Sequence, residues 1–208
     1  MTTMIANPAG AVEVAPATDS TEERTAATPM RSKVVLKVRR NVRAGRIAVA
    51  RGRVWPHTSN RRVTIRFDGR KVRTLRVSDS GRFRVRWRVP GSGVYYARAI
   101  AHRTGTATRD RSRKKRINVF REALASYYGP GFYGSRTACG KTLTPDMLGV
   151  ANKSLPCGAR VTLRHAGRTV TVRVIDRGPY SGAREYDLTA ATAQRLGFGG
   201  AGTIWVTR

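Results

Sequence analysis

The sequence RTVTVRVIDRGPYSGAREYD, residues 168–187, determines how we interpret the second half of this 208-residue chain. Valines alternate with polar side chains over residues 170–174, and this period of two predicts a β-strand. The strand runs directly into Asp176, which is followed by turn-forming Gly178-Pro179. A carboxylate at the end of a strand sits on a rigid scaffold, where binding and catalytic groups concentrate. We therefore take Asp176 as a candidate catalytic residue; the competing interpretation is that it only caps the turn or pairs with Arg177.

The net charge of +29 is concentrated in one part of the chain. Residues 1–30 carry one basic and four acidic side chains, whereas residues 31–121 carry 29 basic and three acidic ones. Residues 122–208 carry 11 basic and five acidic side chains. This asymmetry predicts that the middle segment is a separate module, which has either an anionic partner or a role in solubility.

The first two segments differ in pattern as well as in charge. Residues 1–30 are rich in Ala, Thr, Pro and acidic groups without periodicity, which predicts a disordered leader. From residue 31 to residue 121, short alternating runs are separated by turn residues, which predicts an immunoglobulin-like β-sandwich. The predicted strands cover residues 34–39, 46–55, 61–67, 72–77, 83–89, 94–100 and 117–120.

The arginines of this module form outward-facing rows. In residues 83–89, Phe83, Val85 and Trp87 point inward, and arginines occupy the positions between them. A nucleic-acid partner is not expected, because the aromatic side chains face inward rather than outward for base stacking and no nucleic-acid-binding motif is present. Two interpretations stay open: a solvated basic face, or a surface that binds an anionic wall polymer or acidic lipids.

The last segment, residues 122–208, contains the clearest local signals. A hairpin is predicted from residues 160–163 and 169–175, and a final strand from residues 203–207. Between them lies a short helix over residues 190–196, with an N-cap supplied by residues 187–189 and Gly197 as its stop.

Five motifs of this segment, in this order, resemble the rare lipoprotein A (RlpA-like) family. They are ASYYGPGFYG, TACG, LGVANKSLPCG, VRVIDRGPY and REYDLTAATAQRLGF. The resemblance implies an all-β chain, in which a six-stranded double-psi β-barrel with one short helix follows the sandwich. It also implies a polysaccharide groove and a lytic transglycosylase activity on peptidoglycan glycan strands. The more distant expansin-like relatives bind and loosen polysaccharide instead, so a non-catalytic binding module is the alternative.

The resemblance assigns roles position by position. Asp176 matches the catalytic carboxylate, which would act as both general acid and general base. The Glu and His of active family members are replaced here by Lys141 and Asn152. We expect the Lys141 ammonium near Asp176, where it would favour the ionised carboxylate, and we expect Asn152 to hydrogen-bond a sugar hydroxyl.

Other candidates for substrate binding accompany these motifs: Tyr128, Tyr133, Arg177, Tyr180 and Asp187. The tyrosines of residues 125–134 either form a platform for sugar rings or pack in the core. Asp187 either caps the helix and pairs with Arg184 or Arg177, or forms an acid pair with Asp176.

Cys139 and Cys157 are the only cysteines of the chain, 18 positions apart. As a disulfide they would stabilise the fold by about 3 kcal/mol, and such a bond favours an extracytoplasmic location. In a reducing compartment they would be free thiols. No signal peptide is recognisable in the first residues and no run approaches the ~20 apolar residues of a membrane helix. We expect no metal, no cofactor and a monomer.

Overall fold

The computed structural model describes residues 1–3, 27–58 and 60–208. Residues 4–26, which make up most of the predicted leader, lie outside the described residues. At the leader's predicted end, Met30 is bound to the folded part, because its backbone N–H donates to the carbonyl of Thr106 at 2.9 Å. Among the described residues, this contact lies one residue before the predicted boundary.

Strands form almost all of the regular structure in the described residues, which confirms the predicted all-β class. The first nine strands are β1 (Lys33–Val38), β2 (Asn41–Arg43), β3 (Ile47–Trp55), β4 (Arg62–Phe67), β5 (Arg70–Arg76), β6 (Arg82–Arg88), β7 (Gly93–Ala101), β8 (Asp110–Arg111) and β9 (Lys115–Tyr128). The remaining elements are β10 (Gly149–Asn152), β11 (Arg160–His165), β12 (Arg168–Asp176), β13 (Tyr186–Thr189), α1 (Ala190–Leu196) and β14 (Gly202–Val206).

The basic module consists of two packed layers of strands. One layer is the antiparallel sheet β1-β3-β6, and the other is formed by β5, β4, β7 and the first half of β9. Alternate side chains of both layers build one core, to which Leu36, Val85, Ile65 and Val119 contribute. Phe83 and Val85 are buried and the arginines of β6 are exposed, as the alternation predicted. The immunoglobulin-like assignment of this two-layer structure stays a prediction.

Six strands close into a barrel in the order β13-β10-β12-β11-β14-β9, and β9 pairs again with β13. The β9–β13 and β10–β12 pairs are parallel, and the other pairs are antiparallel. Closure removes every sheet edge and lets one core fill the interior. The short helix α1 begins after Thr189, whose hydroxyl accepts the N–H of Thr192, and ends at Gly197 in the left-handed conformation.

Strand β9 joins the two modules without a linker. Its residues 115–119 pair with β7, and its residues 121–125 pair with β14. The predicted boundary between residues 121 and 122 therefore falls inside a continuous strand of 14 residues, where two separate elements were expected. Local alternation could not show this, because the pattern is the same on both sides of the boundary.

Candidate functional site

Two carboxylates meet at one edge of the barrel because of how strand β10 is paired. Ala151 of β10 is the parallel partner of Asp176 in β12 and the antiparallel partner of Asp187 in β13. The two aspartate backbones are therefore two strand spacings apart, roughly 10 Å. Directly opposed residues of neighbouring strands point to the same face, and all three side chains line the same groove.

The groove has a volume of about 290 Å³, close to the smallest ligand pockets of proteins. Phe132 and Tyr180 stand at its rim with 57% and 79% of their surfaces exposed. Exposed apolar surface beside polar groups is typical of ligand-binding grooves. The ring of Phe132 packs edge-on against Tyr128 at a centroid distance of 6.2 Å.

The Asp176 carboxylate is held by the backbone around it. Its Oδ1 accepts the N–H groups of Ala138 and Arg177, each at 2.8 Å. Both bonds go to the same oxygen, so Oδ2 has no hydrogen bond among the described residues. The turn after Asp176 depends on Gly178, whose φ of 114° is accessible to glycine and disfavoured for other residues. Oδ1 of Asp176 is thus fixed by two hydrogen bonds, and Oδ2 is available to a ligand.

Asp187 is anchored by a short polar chain. Its Oδ1 accepts the hydroxyl of Ser126 at 2.8 Å, and the Ser126 oxygen accepts Arg184 Nη1 at 2.9 Å. Burial raises the pKa of the Asp187 carboxyl; the Ser126 hydrogen bond and Arg184 lower it, while the nearby Asp176 charge adds to the rise. Asp187 therefore holds a proton to higher pH than an exposed aspartate does.

Tyr128 brings a hydroxyl close to these carboxylates. Burial is the main cause of its raised pKa, followed by the charge of Asp176, the approach of the Asp176 carboxylate to the hydroxyl and the charge of Asp187, so the phenol stays protonated. The hydroxyl is buried, and its geometry to Asp176 falls outside that of a hydrogen bond; no other described residue is its partner. A buried hydroxyl with no partner in a polar groove is a donor available to a ligand oxygen.

The comparisons with known proteins agree with this architecture. The family model described as "Lytic transglycolase" matches residues 121–208. Residues 121–208 form a domain similar to the RlpA-like family. Their double-psi β-barrel is the fold that the resemblance predicted.

Three relatives align with this part of the chain. "Endolytic peptidoglycan transglycosylase RlpA" of Neisseria meningitidis serogroup A is 43% identical over 84 residues, which are 39% of this chain and 35% of the relative. The Campylobacter jejuni protein of the same name is 40% identical over 84 residues, 39% of this chain and 30% of the relative. The Synechocystis protein named "Probable endolytic peptidoglycan transglycosylase RlpA" is 41% identical over 88 residues, 41% of this chain and 27% of the relative. The chain thus spans about a third or less of the relatives' length.

The disulfide predicted for the RlpA-like barrel is present between Cys139 and Cys157. It joins the turn that carries Ala138, the N–H donor to Asp176, to the loop after β10. Arg177 binds the same loop, with Nη1 donating to the carbonyls of Asn152 and Leu155 at 3.1 and 2.9 Å. Arg177 lines the groove, as expected for a substrate-binding residue. Its hydrogen bonds show that it also holds the loop after β10 in place.

The Asn152 side chain does not occupy the substrate-binding position that was expected for the RlpA-like barrel. Its side chain is 6% exposed and does not line the groove. Its Oδ1 accepts the N–H groups of Ser154 and Leu155, and its Nδ2 donates to the carbonyl of Glu185. All its polar atoms therefore serve the backbone, which leaves none for a sugar hydroxyl.

Two further candidates lie outside the groove lining. Lys141 is exposed and forms no ion pair with Asp176 within 4.0 Å; its backbone exchanges hydrogen bonds with Thr137. Tyr133 is 39% exposed and stands beside Gly129 rather than in the groove. The helix is capped by Thr189, so Asp187 is free of the capping role that one interpretation gave it.

Sequence reasoning missed Ser126, Thr137 and the Ala138 N–H as parts of this site. Ser126 is paired in register with Asp187 across the parallel β9–β13 contact, 61 residues away in the chain. No local signal distinguished it, because Ser126 is one of several polar residues of β9. No group of three or more His, Cys, Asp or Glu side chains suited to a metal occurs in the described residues.

Proposed function

We propose that the RlpA-like barrel cleaves the glycan strands of peptidoglycan by lytic transglycosylation. The observation that carries this proposal is the convergence of Asp176 and Asp187 on one groove through Ala151, with the unpartnered Tyr128 hydroxyl beside them. The activity named for the three relatives supports the choice of substrate. The Cys139–Cys157 disulfide supports an extracytoplasmic location, where such bonds persist. Among the described residues, no helix has the length and apolarity to span a membrane.

Asp176 is the group that contacts the reacting atoms in this proposal. As an acid it gives its proton to the glycosidic oxygen while the bond from that oxygen to C1 of the muramyl sugar breaks. As a carboxylate it then takes the proton of the C6 hydroxyl, whose oxygen bonds to C1 and closes a 1,6-anhydro ring. No water is consumed and Asp176 is restored. The same residue serves as acid and base in turn, which is ordinary general acid–base catalysis.

Asp187 and Tyr128 support this chemistry from the other side of the groove. A half-buried carboxyl with a raised pKa keeps a proton available close to the substrate. The charge of the nearby Asp176 adds to the rise of the Asp187 pKa. The Tyr128 hydroxyl donates to an oxygen of the bound sugar. Phe132 and Tyr180 provide apolar surfaces for sugar rings at the rim.

A second candidate function, glycan binding without cleavage, is favoured by one observation. The positions of the family's Glu and His hold an exposed Lys141 and an Asn152 whose polar atoms are all occupied. Neither side chain replaces the acid or the imidazole of active members. A groove with aromatic rims then binds the strand, and the carboxylates only orient its hydroxyls.

Digestion of peptidoglycan separates these two functions. The purified chain, Asp176→Asn and the control Asp146→Asn, an exposed carboxyl outside the groove lining, are incubated with intact and stem-peptide-stripped peptidoglycan. Mass spectrometry detects 1,6-anhydromuramyl ends. We expect them from the wild type and the control, and about 100-fold fewer or none from Asp176→Asn. Retention of the wild type on glycan without anhydro ends overturns cleavage and establishes the binding function.

A further inference from the structure

A second cleft lies between the sandwich and the barrel, remote from the carboxylate groove. Its volume is about 1320 Å³. The sandwich contributes residues of β1, β2 and β3, and the barrel contributes the β11–β12 turn and Trp205 of β14. Phe120 at the cleft and Tyr128 at the groove lie on the same strand, eight residues apart. At the usual rise of a strand, the two sites are roughly 26 Å apart.

The charge of this cleft is entirely positive. Seven basic side chains line it and no acidic one does: Lys37, Arg39, Arg40, Arg43, Arg46, Arg51 and Arg164. The one ion pair within 4.0 Å among the described residues joins Arg121 to Glu185, outside the cleft. None of the seven charges is therefore neutralised by a close carboxylate. Arg164, in the barrel, brings a charge from the second wall.

The strand register makes this charge costly without a ligand. Lys37 of β1 is directly opposite Arg51 of β3, and Arg51 is directly opposite Arg84 of β6. A second like-charged pair, Arg53 with Arg82, follows in the same sheet. Like charges directly opposite each other destabilise a sheet. Lys37 and Arg51 both line the cleft, so a polyanion bound there relieves the repulsion between them, which argues against a merely solvated basic face.

The aromatic side chains at the cleft favour a phosphodiester polymer without bases over a nucleic acid. The ring of Trp205 is covered by the Arg43 guanidinium at 4.0 Å, and Phe120 is buried. The partly exposed ring of the cleft is thus already stacked with an arginine, although free aromatic faces supply much of the affinity for single strands. Arginine forks instead suit the oxygens of successive phosphates.

We propose that this interdomain cleft binds the phosphodiester backbone of an anionic cell-wall polymer and holds the barrel at a fixed distance from it. Because both modules line the cleft and β9 runs continuously between them, the bound polymer and the groove keep a constant separation. The seven basic side chains that line the cleft support an anion site by themselves. The assignment of the anion to a wall polymer rests on the proposed function.

The test compares two triple variants of equal charge. Arg40→Gln/Arg43→Gln/Arg164→Gln removes charges from the cleft, and Arg70→Gln/Arg73→Gln/Arg76→Gln removes the same number from exposed positions of β5 outside it. Binding of fluorescently labelled poly(glycerol phosphate) to the full chain is followed by anisotropy at several salt concentrations. Single-stranded DNA with the same number of phosphates is the competitor. Thermal unfolding verifies that both variants are folded.

We expect the cleft variant to bind the polymer at least ~10-fold more weakly. The slope of the logarithm of the binding constant against the logarithm of salt concentration should become smaller by about two to three. Both quantities should change little in the β5 variant. Equal losses in both variants overturn the site, because they show non-specific attraction. If DNA displaces the labelled polymer at the same concentration as the unlabelled polymer does, the assignment to a wall polymer is overturned. Anhydro-product formation on polymer-free peptidoglycan is measured in parallel, so failure of the cleft and failure of the groove are distinguished.

Discussion

Asp176 and Asp187 are both paired with Ala151, one from each side of the same short strand. The small Ala151 side chain leaves the space between the carboxyls open, and all three residues line one groove. A larger residue would fill that space. The two aspartates nevertheless differ, because Asp176 is held by two backbone N–H groups and Asp187 by the Ser126 hydroxyl. This difference in environment is what separates the roles of paired carboxyls.

Asp187 is predicted to reduce the stability of the fold at neutral pH. Its pKa is raised in the folded chain, mainly by burial, so folding favours the protonated form. The favourable contribution is complete below the unfolded pKa of about 3.9 and is lost as pH rises through the folded pKa. Asp187→Asn should therefore be as stable as or more stable than the wild type at pH 7, by less than about 1 kcal/mol because the carboxyl is only half-buried.

Urea unfolding of both proteins at pH 4 and pH 7 measures this effect. The wild type should lose more stability than Asp187→Asn between the two pH values. Ser126→Ala is the companion variant: it removes a hydrogen bond that favours the ionised carboxylate, so it should enlarge the pH dependence. A pH dependence identical in all three proteins would contradict the raised pKa of Asp187.

Tyr128→Phe is expected to separate stability from function. The hydroxyl is buried without a partner, so its removal relieves a desolvation cost and should leave the free energy of unfolding unchanged or higher by about 1 kcal/mol. Glycan binding or cleavage should fall several-fold, because a donor to the substrate is lost. Tyr127→Phe, on the neighbouring exposed side chain outside the groove lining, is the control. Unchanged activity together with lower stability would assign Tyr128 a purely structural role.

Local signals predicted the longer strands and the helix, but not the short strands β2, β8, β10 and β13, and not which strands lie side by side. The alternation of residues 170–174 predicted β12, and Thr189 with Gly197 marked the ends of α1. The meeting of Asp176 with Asp187 depends on β10 lying between β12 and β13, which is a long-range pairing. A sequence pattern describes the face and period of a strand, not the strand beside it.

The same limit explains why Asn152 was misplaced among the binding residues. Its Nδ2 partner, the carbonyl of Glu185, is 33 positions away and belongs to the segment before β13. An asparagine at the end of a strand is compatible with both ligand binding and support of the loop that follows. Only the spatial position of Glu185 distinguishes these possibilities. The motif around Asn152 resembles that of the family, but the Asn152 side chain binds backbone groups of this chain.

Asn152→Ala is accordingly predicted to act on stability. It leaves the N–H groups of Ser154 and Leu155 and the carbonyl of Glu185 without their side-chain partner, which should cost about 2 kcal/mol. Asn152→Asp keeps the acceptor for both N–H groups and loses only the donor, so its cost should be smaller. Chemical denaturation of the three proteins gives the order wild type, Asp variant, Ala variant. Loss of glycan affinity at unchanged stability would restore the ligand role.

Reduction of the Cys139–Cys157 disulfide should affect the groove more than the barrel as a whole. The bond closes a loop of 18 residues and should contribute about 3 kcal/mol to the free energy of unfolding. The loop contains β10, but the pairing of β10 with β12 and β13 holds that strand independently of the bond, so the reduced protein should keep its strand content by circular dichroism. The turn with Ala138 loses its covalent tie, and the hydrogen bond that positions Asp176 weakens with it. Activity or glycan binding should therefore fall under reducing conditions well below the temperature of unfolding.

The Cys139→Ser/Cys157→Ser variant should behave like the reduced wild type and be insensitive to further reductant. Full activity of that variant would mean that Arg177 and the backbone alone hold the turn in place.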